Sequence, residues 1–343
     1  MTAPGPPTVP PFPAAPGAPG APTAPALPAA PRPEDHPADA LLFDPARTRG
    51  NGTADAIRSF RTAAALGWQM EANWTDPVLF FIYSVAKPVS AALILVAMLE
   101  VIAGAAGREY RAFVVVGSAL WSFVISGIAG LAWSVLDDRE RYRMLKYVYV
   151  SPSDLIVFLL GRGTARIAVG AMGAAITLAI GVGLLGVRFD PTRIDWALLL
   201  VVMALGLQAI VVIGVVLAAI CLQTRQEAWS YPEAVAGALF LVSGAVFPLA
   251  VLPWPIQAIG LVNPLSWWLE GVRGALFHGS TSSVGGAGSF YAQLTGQPAP
   301  EPLTVVVALL VTGAVATLGA TVVFRFSEHR ARDRGLIDQT TGS

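Results

Sequence analysis

The chain has 343 residues, of which 55% are hydrophobic and only 13% are charged, and its formal net charge is zero. Soluble domains usually carry about 25% charged residues, whereas the mean hydropathy of this chain is +0.62. These values exclude a protein built on a large soluble core, and the single cysteine, Cys221, excludes an intrachain disulfide. The composition predicts a helical membrane protein.

Residues 1–53 are predicted to be a disordered cytoplasmic tail. Proline recurs at every third position from Pro16 to Pro31. Because proline lacks an amide donor and fixes φ, such a segment favours extended polyproline II and does not build a core. A docking ligand for a proline-binding domain is the alternative interpretation of the same pattern.

An amphipathic interface helix is predicted over residues 54–74. Apolar Ile57 and Trp68 interleave with Arg58 and Arg61 in this segment. This pattern is typical of a helix that lies at a membrane surface.

Six apolar stretches follow, most of them about 20 residues or longer, which is the length a helix needs to cross the hydrocarbon layer. The predicted spans are about 78–103, 112–136, 153–187, 197–222, 230–252 and 302–325, and the start of the third is predicted to be a helical elbow. If the N-terminus is placed in the cytoplasm, most Lys and Arg of the connecting segments also fall on the cytoplasmic side. By the positive-inside rule, both termini, including the tail 331–343, are predicted to be cytoplasmic.

The densest charge cluster of the chain lies between the second and third spans, within a helix predicted over about 137–150. Its charged residues are Asp137, Asp138, Arg139, Glu140, Arg141 and Arg143. Residues at i and i+4 are neighbours on a helix, so polar and apolar faces can separate here. A solvated loop that only enforces topology is the alternative.

Two short apolar helices broken by proline are predicted over about 254–278, on the outer side. Neither is long enough to span, which suits re-entrant or interfacial helices. The candidate site residues of this outer segment are Pro253, Trp254, Gln257, Asn263, Pro264, Glu270 and Arg273. Glu270 and Arg273 lie at i,i+3 and could pair with each other, but Arg273 could equally face lipid phosphates or a second copy of the chain.

The sequence argues against a catalytic function. No GxxxxGK[ST] phosphate loop, HExxH motif or paired metal-ligand spacing is present. The spans are nearly free of carboxylates and histidines, which an intramembrane enzyme or a proton-coupled carrier needs. The energy for any transport is therefore expected to come from another subunit.

The run from Leu241 through Pro248 to Pro253, followed by Gln257, Asn263-Pro264 and Arg273, resembles the C-terminal signature of ABC-2 type transporter permeases. The resemblance covers about residues 55–330. It implies an all-α membrane protein with six transmembrane helices, an N-terminal amphipathic interface helix and re-entrant outer helices before the last span, similar to a type V exporter.

The resemblance also implies a set of partners. The segment 137–150 would be the coupling helix that docks on an ABC ATP-binding subunit, present in two copies, which would bind ATP and Mg; this chain would bind no cofactor. A second permease copy, as homodimer or heterodimer, and membrane lipid are the other expected partners, with no nucleic acid. The expected function is export of an amphiphilic, lipid-like or glycan substrate across the plasma (inner) membrane. A self-contained secondary transporter or channel is the alternative.

Overall fold

The structure is a computed structural model that describes residues 52–72, 77–104, 107–151, 154–184, 186–187, 190–224, 228–277 and 282–333. Of the predicted N-terminal tail 1–53, residues 1–51 lie outside the described residues. Of the predicted C-terminal tail 331–343, residues 334–343 lie outside them.

The described residues form eleven α-helices and no strand, which confirms the all-α architecture for this part of the chain. The helices are α1 (Gly52–Ala72), α2 (Pro77–Ala103), α3 (Gly107–Leu136), α4 (Leu145–Val150), α5 (Leu155–Gly183), α6 (Trp196–Gln223), α7 (Ser230–Val242), α8 (Trp254–Val262), α9 (Pro264–Phe277), α10 (Phe290–Thr295) and α11 (Pro302–Asp333). A π-helical turn, Asp137–Arg141, follows α3, and a 3₁₀ turn, Leu249–Val251, precedes α8.

Side-chain caps fix the starts of two long helices. The Asp154 carboxylate accepts a hydrogen bond from the Ile156 amide at 2.8 Å at the start of α5, and Asp195 accepts one from Leu198 at 3.0 Å at the start of α6. Such caps satisfy backbone donors that the first helical turn leaves open.

Four helices among the described residues are long and apolar enough to cross a membrane. They are Tyr110–Arg141, Leu155–Gly183, Trp196–Gln223 and Pro302–Arg330. Two shorter apolar helices, Val89–Ile102 and Ser230–Val242, correspond to the first and fifth predicted spans. The structure therefore supports four of the six predicted spans by length and composition. The third span is one continuous helix, without the predicted elbow.

The fifth predicted span, 230–252, is broken. Helix α7 ends at Val242, and Gly244 has a positive φ of 72°. Thirteen residues rise about 20 Å, less than the hydrocarbon thickness of about 30 Å. The chain then turns back through the 3₁₀ turn into α8 and α9, so the apolar run that predicted one span contains a helix and a turn.

Helix α3 lies at the centre of the bundle and packs against α5 and α6. Gly163 of α5 and Gly214 of α6 both contact the Leu131 side chain of α3, so small residues allow these helices to approach closely. The Trp268 ring of α9 is fully buried and packs directly on Gly206 of α6. The broken segment is thereby fixed to the centre of the bundle.

We expect Gly206→Ala to destabilise the fold, because the added methyl group would overlap the Trp268 ring. Overpacking a core typically costs about 1–3 kcal/mol. Gly237→Ala on α7 is the matched control, since nothing lies within 4 Å of a methyl group there. Thermal unfolding of the purified variants in detergent measures the difference, and equal melting temperatures would show that the Trp268 contact is adaptable.

Candidate functional site

The charged segment after α3 is not the continuous helix predicted over 137–150. The π turn Asp137–Arg141 ends at Tyr142, and α4 starts only at Leu145. Between them, Arg143 adopts a positive φ of 51°. A non-glycine residue in this region is strained and persists only where its surroundings fix the backbone. The contacts of the π turn explain what fixes it.

A buried ion pair lies at the start of this segment. The Arg162 guanidinium of α5 donates to both carboxylate oxygens of Asp138, at 2.8 and 3.1 Å. The two side chains are 2% and 0% exposed. A bidentate pair in this geometry satisfies the charges that burial would otherwise leave uncompensated.

A second arginine of α5 extends the contacts to the amphipathic helix. The Arg166 guanidinium lies 2.8 Å from Asp137 and 2.9 Å from Glu71 of α1. Helix α1 also packs closely on α5, where Gly161 contacts the Phe60 backbone. The start of the π turn therefore joins α1, α3 and α5.

The next two residues point to the other side, towards α6 and α7. The Arg139 guanidinium donates to the carbonyls of Cys221 and Thr224 at 3.0 and 3.1 Å. A cation is favourable there because a helix C-terminus carries partial negative charge. Arg139 also pairs with Glu140, which accepts a hydrogen bond from the Trp229 indole at 2.8 Å.

These contacts form one cluster, which we name the charged-end network. It comprises Glu71, Asp137, Asp138, Arg139, Glu140, Arg162, Arg166 and Trp229. Sequence reasoning did not assign Glu71, Arg162, Arg166 and Trp229 to it. The i,i+4 spacing of Arg162 and Arg166 was the available signal, because it puts two cations on one face of α5 near the acidic residues that follow α3.

The structure divides the predicted coupling residues into two groups. Asp138 and Arg139 are buried, and Asp137 and Glu140 are nearly so. Arg141 and Arg143 are exposed, together with Tyr142 between them. Only the exposed group presents a surface to a partner in this conformation.

A second polar cluster lies near the other end of α3. The Arg273 guanidinium of α9 donates to the carbonyl of Gly244 at 2.8 Å and to that of Ala245. It also donates to the Phe113 carbonyl at 3.1 Å and to the Ser283 hydroxyl, and its guanidinium carbon lies 3.5 Å from the Phe113 ring centroid. Arg273 thus supplies donors to the turn at which α7 ends.

Glu270 binds the segment that follows α9. Its carboxylate accepts hydrogen bonds from the amides of Ser283 and Val284, the latter at 3.1 Å. Although Glu270 and Arg273 lie one turn apart, the described contacts include no ion pair between them. The local ion pair, one of the arrangements that the spacing allowed, is therefore not formed at salt-bridge distance, and Arg273 does not face lipid, because it is 2% exposed.

We name this cluster the opposite-end centre: Gly244, Ala245, Glu270, Arg273, Ser283 and Val284. Gly117 of α3 makes room for it, because a methyl group at that position would overlap the Ala245 carbonyl and the Arg273 guanidinium. Irregular backbone that is buried requires protein partners for its polar groups. Arg273 and Glu270 provide those partners here.

The remaining candidate residues of the predicted outer segment bind backbone groups of the same region or mark its helix starts. Gln257 donates from its amide nitrogen to the Leu252 carbonyl, and its oxygen accepts from the Phe290 amide, both at 2.6 Å. The Asn263 side chain accepts from the Leu265 amide at 3.1 Å where α9 begins. Three further residues mark helix starts: Pro253 immediately precedes α8, the exposed Trp254 opens it, and Pro264 opens α9.

Long apolar helices around a buried central helix, with a polar cluster near each end of that helix, define a multi-span α-helical membrane protein. The chain belongs to the ABC-2 type transporter family, whose family model matches residues 62–277, a range that includes most residues of both polar clusters. The comparison with curated proteins finds no match. The chain is thus a membrane-embedded permease subunit of an ABC transporter. No group of three or more His, Cys, Asp or Glu among the described residues could hold a metal ion.

Proposed function

We propose that this permease is the transmembrane half of an ATP-driven exporter in the plasma membrane, with both termini and the charged-end network on the cytoplasmic side. The observation that carries the proposal is the exposed turn Arg141–Arg143, which directly follows π-turn residues that the charged-end network joins to α1, α5, α6 and α7. A partner that moves this turn would move the ends of four helices.

The surface beside the turn supports docking at this end. A cleft of about 360 Å³ lies between α1, α4 and the start of α5, lined among others by Arg58, Leu66, Tyr147 and Phe158. It combines apolar walls with one arginine, Arg58, and its lining includes Met144, the residue that follows the exposed Arg143. We infer that an ABC ATP-binding subunit contacts this surface, as members of the family normally associate with such a subunit.

The energy source follows from the same assignment. Two ATP-binding subunits would bind ATP and Mg, and a second permease copy, identical or related, would complete the pathway. Binding of ATP would favour one arrangement of the helices over another, as coupling between two sites requires. The substrate class proposed is an amphiphile, a lipid or a lipid-linked glycan.

Reversing the two exposed cations, Arg141→Glu and Arg143→Glu together, is expected to release the ATP-binding subunit without unfolding the permease. The reason is that both side chains are exposed and so contribute little to the fold. Co-purification of the subunit from detergent-solubilised membranes measures the loss. The matched control reverses two exposed cations of α11, Arg325→Glu and Arg330→Glu, and should retain the subunit. Normal binding and normal ATP hydrolysis in the Arg141/Arg143 variant would reject this docking surface.

A self-contained secondary transporter or channel is the competing function. It predicts that the purified chain alone, in vesicles with an ion gradient, transports a fluorescent amphiphile such as Hoechst 33342. The exporter proposal predicts transport only when the ATP-binding subunit, ATP and Mg are all present. Dye movement driven by the ion gradient alone would reject it.

A further inference from the structure

Helix α7 connects the two polar clusters, and its first end is tied to the charged-end network. Trp229, the residue before α7, donates its indole N–H to Glu140 at 2.8 Å. The neighbouring π-turn residue holds the end of α6, because Arg139 donates to the Thr224 carbonyl at 3.1 Å. The start of α7 is therefore bonded to Glu140, the π-turn residue that immediately precedes the exposed Arg141.

The other end of α7 is tied to α9. The Val242 carbonyl, the last of the helix, accepts a hydrogen bond from the Ser266 hydroxyl at 3.2 Å. The next free carbonyls, of Gly244 and Ala245, accept from Arg273. Any displacement of α7 along its axis must carry these partners with it or leave buried carbonyls without donors, which is unfavourable.

The sides of α7 are held much less than its ends. Of its thirteen residues, only Pro232 and Ala236 are buried. Its clearest lateral contact is between the rings of Phe240 and Trp121 of α3, whose centroids lie 4.9 Å apart. Helix α5, by contrast, has buried residues along nearly its whole length.

We propose that α7 is a rigid link that transmits a displacement of the π turn to the opposite-end centre. The inference rests on the proposed function, in which an ATP-binding subunit moves that turn. In this arrangement Glu140 and Trp229 are positioning residues for α7. The turn 243–252 lies at the end of α7 that is opposite the charged-end network. Binding of nucleotide by the partner nevertheless changes the hydrogen bonds of this turn.

The test softens the link without altering its contacts. Ala234→Gly and Ala238→Gly together replace two exposed residues in the middle of α7, where glycine increases backbone freedom. Hydrogen–deuterium exchange is measured on the complex of permease and ATP-binding subunit in lipid nanodiscs, with ATP and vanadate or without nucleotide. The wild type should show a nucleotide-dependent difference in both 139–150 and 243–252. The variant should keep the first difference and lose the second.

Two controls distinguish an effect of the stiffness of α7 from an effect of its exposed face. Ala171→Gly and Ala175→Gly introduce the same i,i+4 pair at exposed positions of α5, which is supported along its side, and should behave as wild type. Ala238→Met keeps the helix but enlarges its exposed face. Loss of the 243–252 response with Ala238→Met but not with the glycine pair would show that this face binds another copy, and would overturn the link.

If the glycine variant does not form the complex with the ATP-binding subunit, Trp229→Phe tests the link instead. It removes the indole donor to Glu140 but keeps an aromatic ring, and it should also abolish the response of 243–252. A full response in Trp229→Phe would overturn the link while leaving the exporter proposal intact. Failure of 139–150 to respond in the wild type would instead reject the exporter proposal, and the link with it.

Discussion

Replacing Asp138 by alanine is expected to destabilise the permease by about 3–5 kcal/mol, the usual cost of removing one partner of a buried ion pair. The change leaves the Arg162 guanidinium buried, with its carboxylate partner gone. The loss should exceed that of any exposed charge of the chain, because solvent compensates exposed groups. Thermal unfolding in detergent, followed by tryptophan fluorescence, measures it.

Two variants make this result specific. Asp138→Leu combined with Arg162→Met removes both charges and should be more stable than Asp138→Ala, since apolar residues often replace a buried ion pair at little cost. Asp190→Ala breaks an exposed pair, in which the Arg193 guanidinium lies 3.5 Å from Asp190, and should lower the melting temperature far less than Asp138→Ala. A melting temperature of Asp138→Ala equal to that of Asp190→Ala would contradict the burial of this pair.

Replacing Arg273 by alanine is expected to have a comparable effect at the other end of α3. The carbonyls of Gly244 and Ala245 would lose their donor, and each buried unsatisfied group costs about 1–3 kcal/mol. The turn after α7 should open, because it has an irregular backbone that cannot form helical hydrogen bonds instead. Faster hydrogen exchange in 243–252, together with a lower melting temperature, would report this opening.

A conservative variant and a control variant test whether the Arg273 guanidinium is what stabilises the turn after α7. Arg273→Lys keeps the charge but not the planar fork that reaches several carbonyls, so it should rescue stability only in part. Arg193→Ala removes an exposed arginine from the connection between α5 and α6 and should change neither readout. If Arg273→Ala left exchange in 243–252 unchanged, the guanidinium would not be what holds this turn.

The sequence was sufficient for four of the long helices and for the family. Apolar length located α3, α5, α6 and α11, and the family match over residues 62–277 confirms the resemblance carried by the run from Leu241 to Pro253. Proline chemistry also predicted the broken segment, since α8 and α9 begin beside Pro253 and at Pro264. These features are local, so composition and spacing can reveal them.

The polar contacts were not predictable in the same way, because their partners are distant in sequence. Asp138 and Arg162 are 24 positions apart and belong to different helices. The charge run was interpreted as an α-helix with an exposed polar face, whereas a π turn directs Asp138 and Arg139 inward. Local spacing likewise suggested that Glu270 pairs with Arg273. In fact each side chain satisfies backbone groups of a turn whose position depends on how α7 and α9 pack.

The most direct measurement is thiol labelling of Tyr142→Cys with a membrane-impermeant maleimide, in a chain whose buried Cys221 is replaced by alanine. Tyr142 lies between the two exposed arginines that we assign to the ATP-binding subunit. We predict labelling in inverted membrane vesicles, none in intact cells, and protection when the ATP-binding subunit is bound. Labelling from outside intact cells, or labelling in inverted vesicles that the subunit does not reduce, would contradict the account.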